Sequence, residues 1–235
     1  RNGAPEYGGE WPRFNGGGIC MHNAHLTLKD IIVEDCVLPN QEWENGNGIF
    51  IGGSSSIIED VIVRNNQGGG IALGGNGSYP SFNNVLIDGN TQGYGMRVYD
   101  TGVIMQNSEI SNNIAGGIWY EGVGFNPSFY SNNIFYGNGS EDSEFGALKV
   151  MNSGADVSID MCLFVDNKSN SNGSDIYSLE KNGNMNIAGG LSENSDSRIK
   201  TNIEDADLDE CVDVLKSIKL KKYNYTDFSF FYWKN

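Results

Sequence analysis

The sequence predicts an all-β chain, a right-handed parallel β-helix of about seven coils, and three observations carry that prediction. The first is a recurring anchor. Ile19, Ile49, Ile71, Met96, Ile118, Leu148 and Ile176 each close a short turn (GGGI, GNGI, GGGI, YGM, GGI, FGAL, SDI), at spacings of 30, 22, 25, 22, 30 and 28 residues. The second is an apolar run about 14 residues after each anchor: DIIVED, DVIVRN, NVLIDGN, SEISNN, NIFYGN and CLFVDN. The third is an asparagine that trails those runs in step, at Asn66, Asn90, Asn113, Asn138 and Asn167. A period of twenty to thirty residues that alternates short strands with turns marks a solenoid. Leucine-rich repeats share the period but not the leucine spacing, and propeller blades need about 40 residues each.

Each element follows from that period. A short strand cannot bury its apolar residues alone, whereas coils stacked ~4.8 Å apart bury them as continuous columns. Asparagines in register can pass amide hydrogen bonds from coil to coil, as in cross-β stacks. Glycines are expected to supply positive φ at the corners. A right-handed crossing is the general preference for parallel strands. Residues 1–18, with Trp11 and Phe14 among glycines, read as the irregular end of an earlier coil. Coils run from about Ile19 to about Ile187, interrupted by longer loops at Leu38–Asn47, Gly137–Glu144 and Asn167–Ser174. Such loops project without disturbing a stack. The pattern fades near Gly189, which divides the chain into a β-helix over 1–190 and a different segment over 191–235. In that segment Leu208, Val212, Leu215 and Ile218 share one face of a helix that starts near Glu204. Acidic residues open the helix and lysines close it, which complements its dipole.

Composition excludes several classes. Among 235 residues the formal net charge is −15, which argues against nucleic acid and against docking on anionic membranes. No run of 18 apolar residues predicts a membrane span. The opening at Arg1 reads as the start of a fragment. Cys20, Cys36, Cys162 and Cys211 are dispersed without CxxC spacing, so no metal cluster and no cofactor are expected. Cys36 and Cys162 flank strand runs and read as core or ladder residues, not as a disulfide. His22 and His25 read as a solvated pair. The sequons at Asn76, Asn138, Asn167, Asn172 and Asn224 are those expected by chance in a chain rich in Asn, Gly and Ser.

The segment Ser195–Ile203, SDSRIKTNI, with the leucine-spaced helix and KKYNYTD after it, resembles the C-terminal intramolecular chaperone of endosialidase-type phage tailspikes and fibres. The resemblance covers about 33 residues, Ser195–Asp227, and is joined here to a β-helix of pectate-lyase-like type. It implies a module that assembles a trimeric fibre and then cuts itself off before the motif's serine. Ser195 is the implied nucleophile and Lys200 the implied base. Ser–Lys pairs are a variant of triad chemistry, and a lysine acts as base only when desolvated. Family members continue with a further helical region, whereas this chain ends in FSFFYWKN, so the module reads as truncated and the 235-residue form is expected not to cleave.

Strand alternation places the residues one and three past each anchor on the outer face. Arg97, Tyr99, Trp119, Glu121, Lys149 and Tyr177 are thereby predicted to form one aromatic and charged strip. Such strips suit sugars, because rings cover pyranose C–H faces while polar groups read hydroxyls. The leading reading is a virion-surface or extracellular fibre, a homotrimer in its full-length form, that binds a host surface glycan. With Trp119 and Tyr177 as platforms and Arg97 and Lys149 as cations, acidic glycans are slightly preferred. Two alternatives stand beside it. One is a polysaccharide lyase or hydrolase, with Asp100 and Glu121 as the nearest carboxylate pair or Lys149 with Arg97 as base and cation. The other is an adhesive or structural β-helix without a defined ligand.

Overall fold

The computed structural model of the protein describes residues 17–37, 48–75, 78–122, 127–151, 154, 156–170, 173–179 and 185–188. The chain divides into two compact units, Arg1–Asn194 and Ser195–Asn235. The helix expected from Glu204, the Ser195 and Lys200 pair and Cys211 all lie outside the described residues.

Seven strands stack in parallel to form the first sheet: Ile19–His22, Ile49–Gly52, Ile71–Gly74, Met96–Tyr99, Ile118–Glu121, Leu148–Met151 and Ile176–Leu179. All seven anchors stand in one register column. Ile49, Ile71, Met96, Ile118 and Leu148 in that column are fully buried. Two positions on, Met21, Ile51, Leu73, Val98, Tyr120 and Val150 form the neighbouring buried column. Strand alternation alone explains the pairing of these columns, since every second residue faces inward.

The second apolar run of each coil builds a ten-stranded parallel sheet facing the first. Its early strands, Thr27–Glu34, Ile57–Arg64 and Ser81–Asp88, are eight residues long. Later coils split the same span in two, as in Ser128–Ser131 with Ile134–Tyr136. A bend lies mid-span in six coils, where Asp30, Asp60, Asn84, Asn107, Asn132 and Met161 all have φ between 51° and 55°. Inward from this sheet, Phe135 and Phe164 stack with rings nearly parallel and centroids 4.8 Å apart.

The asparagine corner forms as the spacing predicts. Asn66, Asn90, Asn113, Asn138 and Asn167 are buried in one column. Each of the first four donates its side-chain amide to the next Oδ1, at 3.0, 2.8, 2.9 and 3.1 Å. The backbone N–H of each reaches the same oxygen. Five turns thus carry the complete ladder.

The corners differ from expectation in one respect. Asparagine and aspartate, more than glycine, take the left-handed φ, because their short polar side chains tolerate it and bond locally. The glycines just before the anchors serve a different need. A Cβ at Gly70 would lie 2.5 Å from the Gly95 carbonyl oxygen, and one at Gly48 would lie 2.6 Å from that of Gly70. Coil-to-coil approach, not backbone twist, excludes a side chain there.

Candidate functional site

The outer face of the first sheet holds the predicted strip in register. Arg97 pairs with Trp119, Trp119 with Lys149 and Lys149 with Tyr177. Tyr99 pairs with Glu121. All six side chains therefore share one face, but they are not equally open.

Lys149 is 2% exposed. Its ammonium sits 4.7 Å from the Trp119 ring centroid, 5.7 Å from that of Tyr177 and 5.9 Å from that of Phe145, and it bonds to Glu144 at 2.5 Å. Three rings and one carboxylate satisfy the cation, which accounts for its tolerance of burial. The expectation that Lys149 would meet a ligand as an outward cation gives way to a buried lysine neutralised by the half-exposed Glu144.

Trp119 is likewise engaged. The Arg97 guanidinium lies 4.8 Å from its ring centroid, the Lys149 ammonium 4.7 Å, and Tyr94 meets it in a T-shaped contact at 4.9 Å. With two cations on its ring, the indole serves the cluster and is no open platform for a sugar. Its Nε1 is buried without a hydrogen-bond partner among the described residues. Arg97 also approaches Glu121, Nη2 to Oε2, at 3.9 Å.

The accessible end of the strip is Tyr99, which is 37% exposed. Its register neighbour on the preceding coil is Gly74. Among the described residues, a Cβ at Gly74 would meet only the Tyr99 carbonyl oxygen, 3.9 Å away, which leaves a glycine shelf beside Tyr99. Glu121 borders the ring on the following coil with its side chain 21% exposed. Asp100 turns the corner next to Tyr99 at φ 53°, its backbone N–H bonded to the Glu121 carbonyl. The result is an aromatic platform with a glycine step on one side and carboxylates on the other.

Sequence reasoning missed Tyr94, Phe145, Glu144 and Gly74. Tyr94 and Phe145 stack at 5.3 Å. Tyr94 stands two residues before its anchor in YGM and Phe145 three before its anchor in FGAL, so the two share no common phase in the repeat. What the pattern lacks is any sign that these turn residues fold back over the outer face. Elsewhere, Cys36 donates its backbone N–H to Asn66, and Cys162 lies buried at an inner corner beside Asn133. Cys20, Cys36 and Cys162 are free thiols. Burial pushes the Cys162 thiol pKa up, and that of Cys36 too. His22 and His25 are exposed, His25 accepting from the Ser55 N–H through Nδ1. No group of three or more metal-ligating side chains occurs among the described residues.

Stacked parallel coils with an asparagine corner define the class as a parallel β-helix. Residues 13–164 match the model of the right handed beta helix region, and the chain belongs to that family. Residues 195–230 match a second model, the chaperone of endosialidase. The chain thus joins a right handed beta helix region to a short segment similar to the chaperone of endosialidase. No curated protein and no solved structure matches the chain.

Proposed function

We propose that this protein is a virion-surface tailspike-like fibre whose β-helix binds a host surface glycan on the outer face of its first sheet. The observation that carries the reading is the union, in one chain, of a β-helix over 13–164 and an endosialidase-type chaperone segment over 195–230. The Tyr99 platform supports the choice of face. Its ring can lie against a pyranose C–H face, the Gly74 shelf leaves room for the next sugar, and Glu121 accepts hydroxyl hydrogen bonds. Because Lys149 is neutralised within the cluster and Arg97 already faces Glu121, the site has no surplus of cations. A neutral or hydroxyl-rich glycan therefore suits it better than an acidic one.

In the same reading the C-terminal segment assembles three chains, and Ser195 with Lys200 severs the bond after Asn194. A glycan array probed with the full chain tests the binding half. Selective capture of neutral oligosaccharides supports it, and a blank or purely charge-driven pattern contradicts it. For the second half, a chain that carries the family's full module should yield a fragment beginning at Ser195, lost in Ser195→Ala and Lys200→Ala. An uncut product would remove those roles.

A further inference from the structure

Among the described residues, the way off the shelf beside Tyr99 leads around a corner and not along the solenoid axis. Gly52 is the register partner of Gly74 on the preceding coil. A Cβ at Gly52 would lie 2.9 Å from His22 Nδ1 and from Cε1 and Cζ of Phe50, so these side chains already fill the next step. On the strand side, Ala72 is buried and the Arg97 guanidinium is held by Trp119 and Glu121. The turn from the first sheet to the second carries another exposed ring. Tyr79 is 38% exposed, nearly the value for Tyr99. Extended back by two residues, the register of the strands that follow aligns it with Ser55 on the preceding coil and Gly102 on the next. Its backbone N–H donates to Ser55 Oγ at 3.0 Å. A Cβ at Gly102 would lie 2.6 Å from Tyr79 Cε1 and 2.7 Å from Cδ1, so the ring rests on bare backbone where only glycine admits it.

We infer that Tyr79 is a second sugar platform, and that the glycan crosses this corner from Tyr99 past Asp100 to Tyr79, transverse to the solenoid axis. The inference rests on the glycan-binding reading above and gives that site its direction and length. Tyr99 and Gly102 are three residues apart, so their Cα atoms lie at most ~11 Å from each other. Tyr79 sits against Gly102 from the neighbouring rung, ~4.8 Å away. A short run of linked pyranoses covers that distance and can set a C–H face on each tyrosine. Asp100 lies half-buried on the turn between them and brings a carboxylate to accept hydroxyl hydrogen bonds. Beneath the path, the Thr101 and Ser78 hydroxyls bond at 2.8 Å and tie the two turns together. Platforms fixed in this way lose little freedom when a ligand binds. With Asp100 and Glu121 beside the path in a chain of net charge −15, the occupant is a neutral oligosaccharide longer than a disaccharide, not a sulfated or uronic one.

The test is an array of neutral glycans graded from mono- to hexasaccharide, probed with the full chain and with Tyr79→Ala, Tyr79→Phe, Tyr99→Ala and Tyr136→Ala. Tyr136 is exposed on the second sheet and serves as the control. The parent is expected to hold trisaccharides and longer chains at least tenfold more tightly than the matching disaccharides. Tyr79→Ala should abolish that gain and leave disaccharide binding unchanged, whereas Tyr99→Ala should weaken every length. Tyr79→Phe, which keeps the ring, and Tyr136→Ala should match the parent. If Tyr79→Ala keeps the gain while Tyr99→Ala loses binding, the second platform is wrong and the first stands. A loss in Tyr79→Phe equal to that in Tyr79→Ala would assign the effect to the hydroxyl and overturn stacking, and an equal loss in Tyr136→Ala would overturn the path. Parent-like binding by both Tyr79→Ala and Tyr99→Ala, or a parent that captures no neutral glycan, overturns glycan binding at this face and this inference with it. Hydroxyl-radical footprinting of the parent needs no substitution. With the longest neutral glycan captured, Tyr79 and Tyr99 should both be protected while Tyr136 oxidises as before, and protection of Tyr99 alone would refute the path.

Discussion

Asn113 accepts from the Asn90 backbone N–H and side-chain amide through one oxygen, and donates to the Ile87 carbonyl and to Asn138 Oδ1 through one nitrogen. It is fully buried, so Asn113→Ala leaves several polar atoms without water or partner. Each buried orphan costs about 1–3 kcal/mol, and some relaxation is available, so a loss of about 3 kcal/mol is expected in urea unfolding. A loss below about 1 kcal/mol would show that the ladder is incidental. The same burial settles the sequons at Asn138 and Asn167: both amides are committed to the ladder and are poor glycan acceptors in the folded chain. Cys162 and Tyr130 give the residue scale a pH signature. Burial raises both pKa values above their ordinary ones of 9.0 and 10.0. The unfolded chain therefore loses these protons first, and their stabilising contribution is complete below about pH 9 and shrinks as pH rises through that range. Melting temperature should fall from pH 8 to pH 10.5, less steeply in Cys162→Ala. An equal slope in that variant would contradict the assignment.

At the scale of the element, the strands were legible because burial writes a period of two and coil stacking writes a period of twenty to thirty. Ile49, Ile71, Ile118 and Leu148 could be placed in one column on phase alone. The outer face was legible as a list of residues but not as a surface. Alternation says that Lys149 points outward; it does not say that Phe145 and Glu144 fold over it from the preceding turn. Nor does it say that Trp119 spends its ring on two cations. Those outcomes depend on contacts between turns whose spacing carries no repeat. Lys149 makes them measurable. Lys149→Met keeps the ring contacts and frees Glu144, which is already half in solvent, so a change below about 1 kcal/mol is expected. Lys149→Ala removes the stem from between the rings and should cost about 2–3 kcal/mol. Thermal or urea unfolding of both variants decides it, and equal losses would mean that the charge, not the packed stem, holds the cluster.

For the whole molecule, the outer face of the first sheet offers a ring beside a glycine shelf, whereas that of the second carries exposed ion pairs on its early coils, Lys29 with Glu59 and Arg64 with Glu34, and exposed Ile104, Phe129, Ile134 and Leu163 on later ones. The fold alone assigns no function, because β-helices host binders, enzymes and scaffolds alike. The choice of face for a glycan therefore rests on Tyr99 and the step at Gly74, whose φ is not left-handed and so admits a larger side chain without backbone strain. Gly74→Phe should fill the shelf and Tyr99→Ala should remove the platform, each without lowering the melting temperature. The most direct measurement is the affinity of the full chain, by calorimetry, for the oligosaccharide that the array selects. Both variants are predicted to bind at least tenfold more weakly than the parent, a loss of about 1.4 kcal/mol or more. Parent-like affinity in both would contradict glycan recognition at this face.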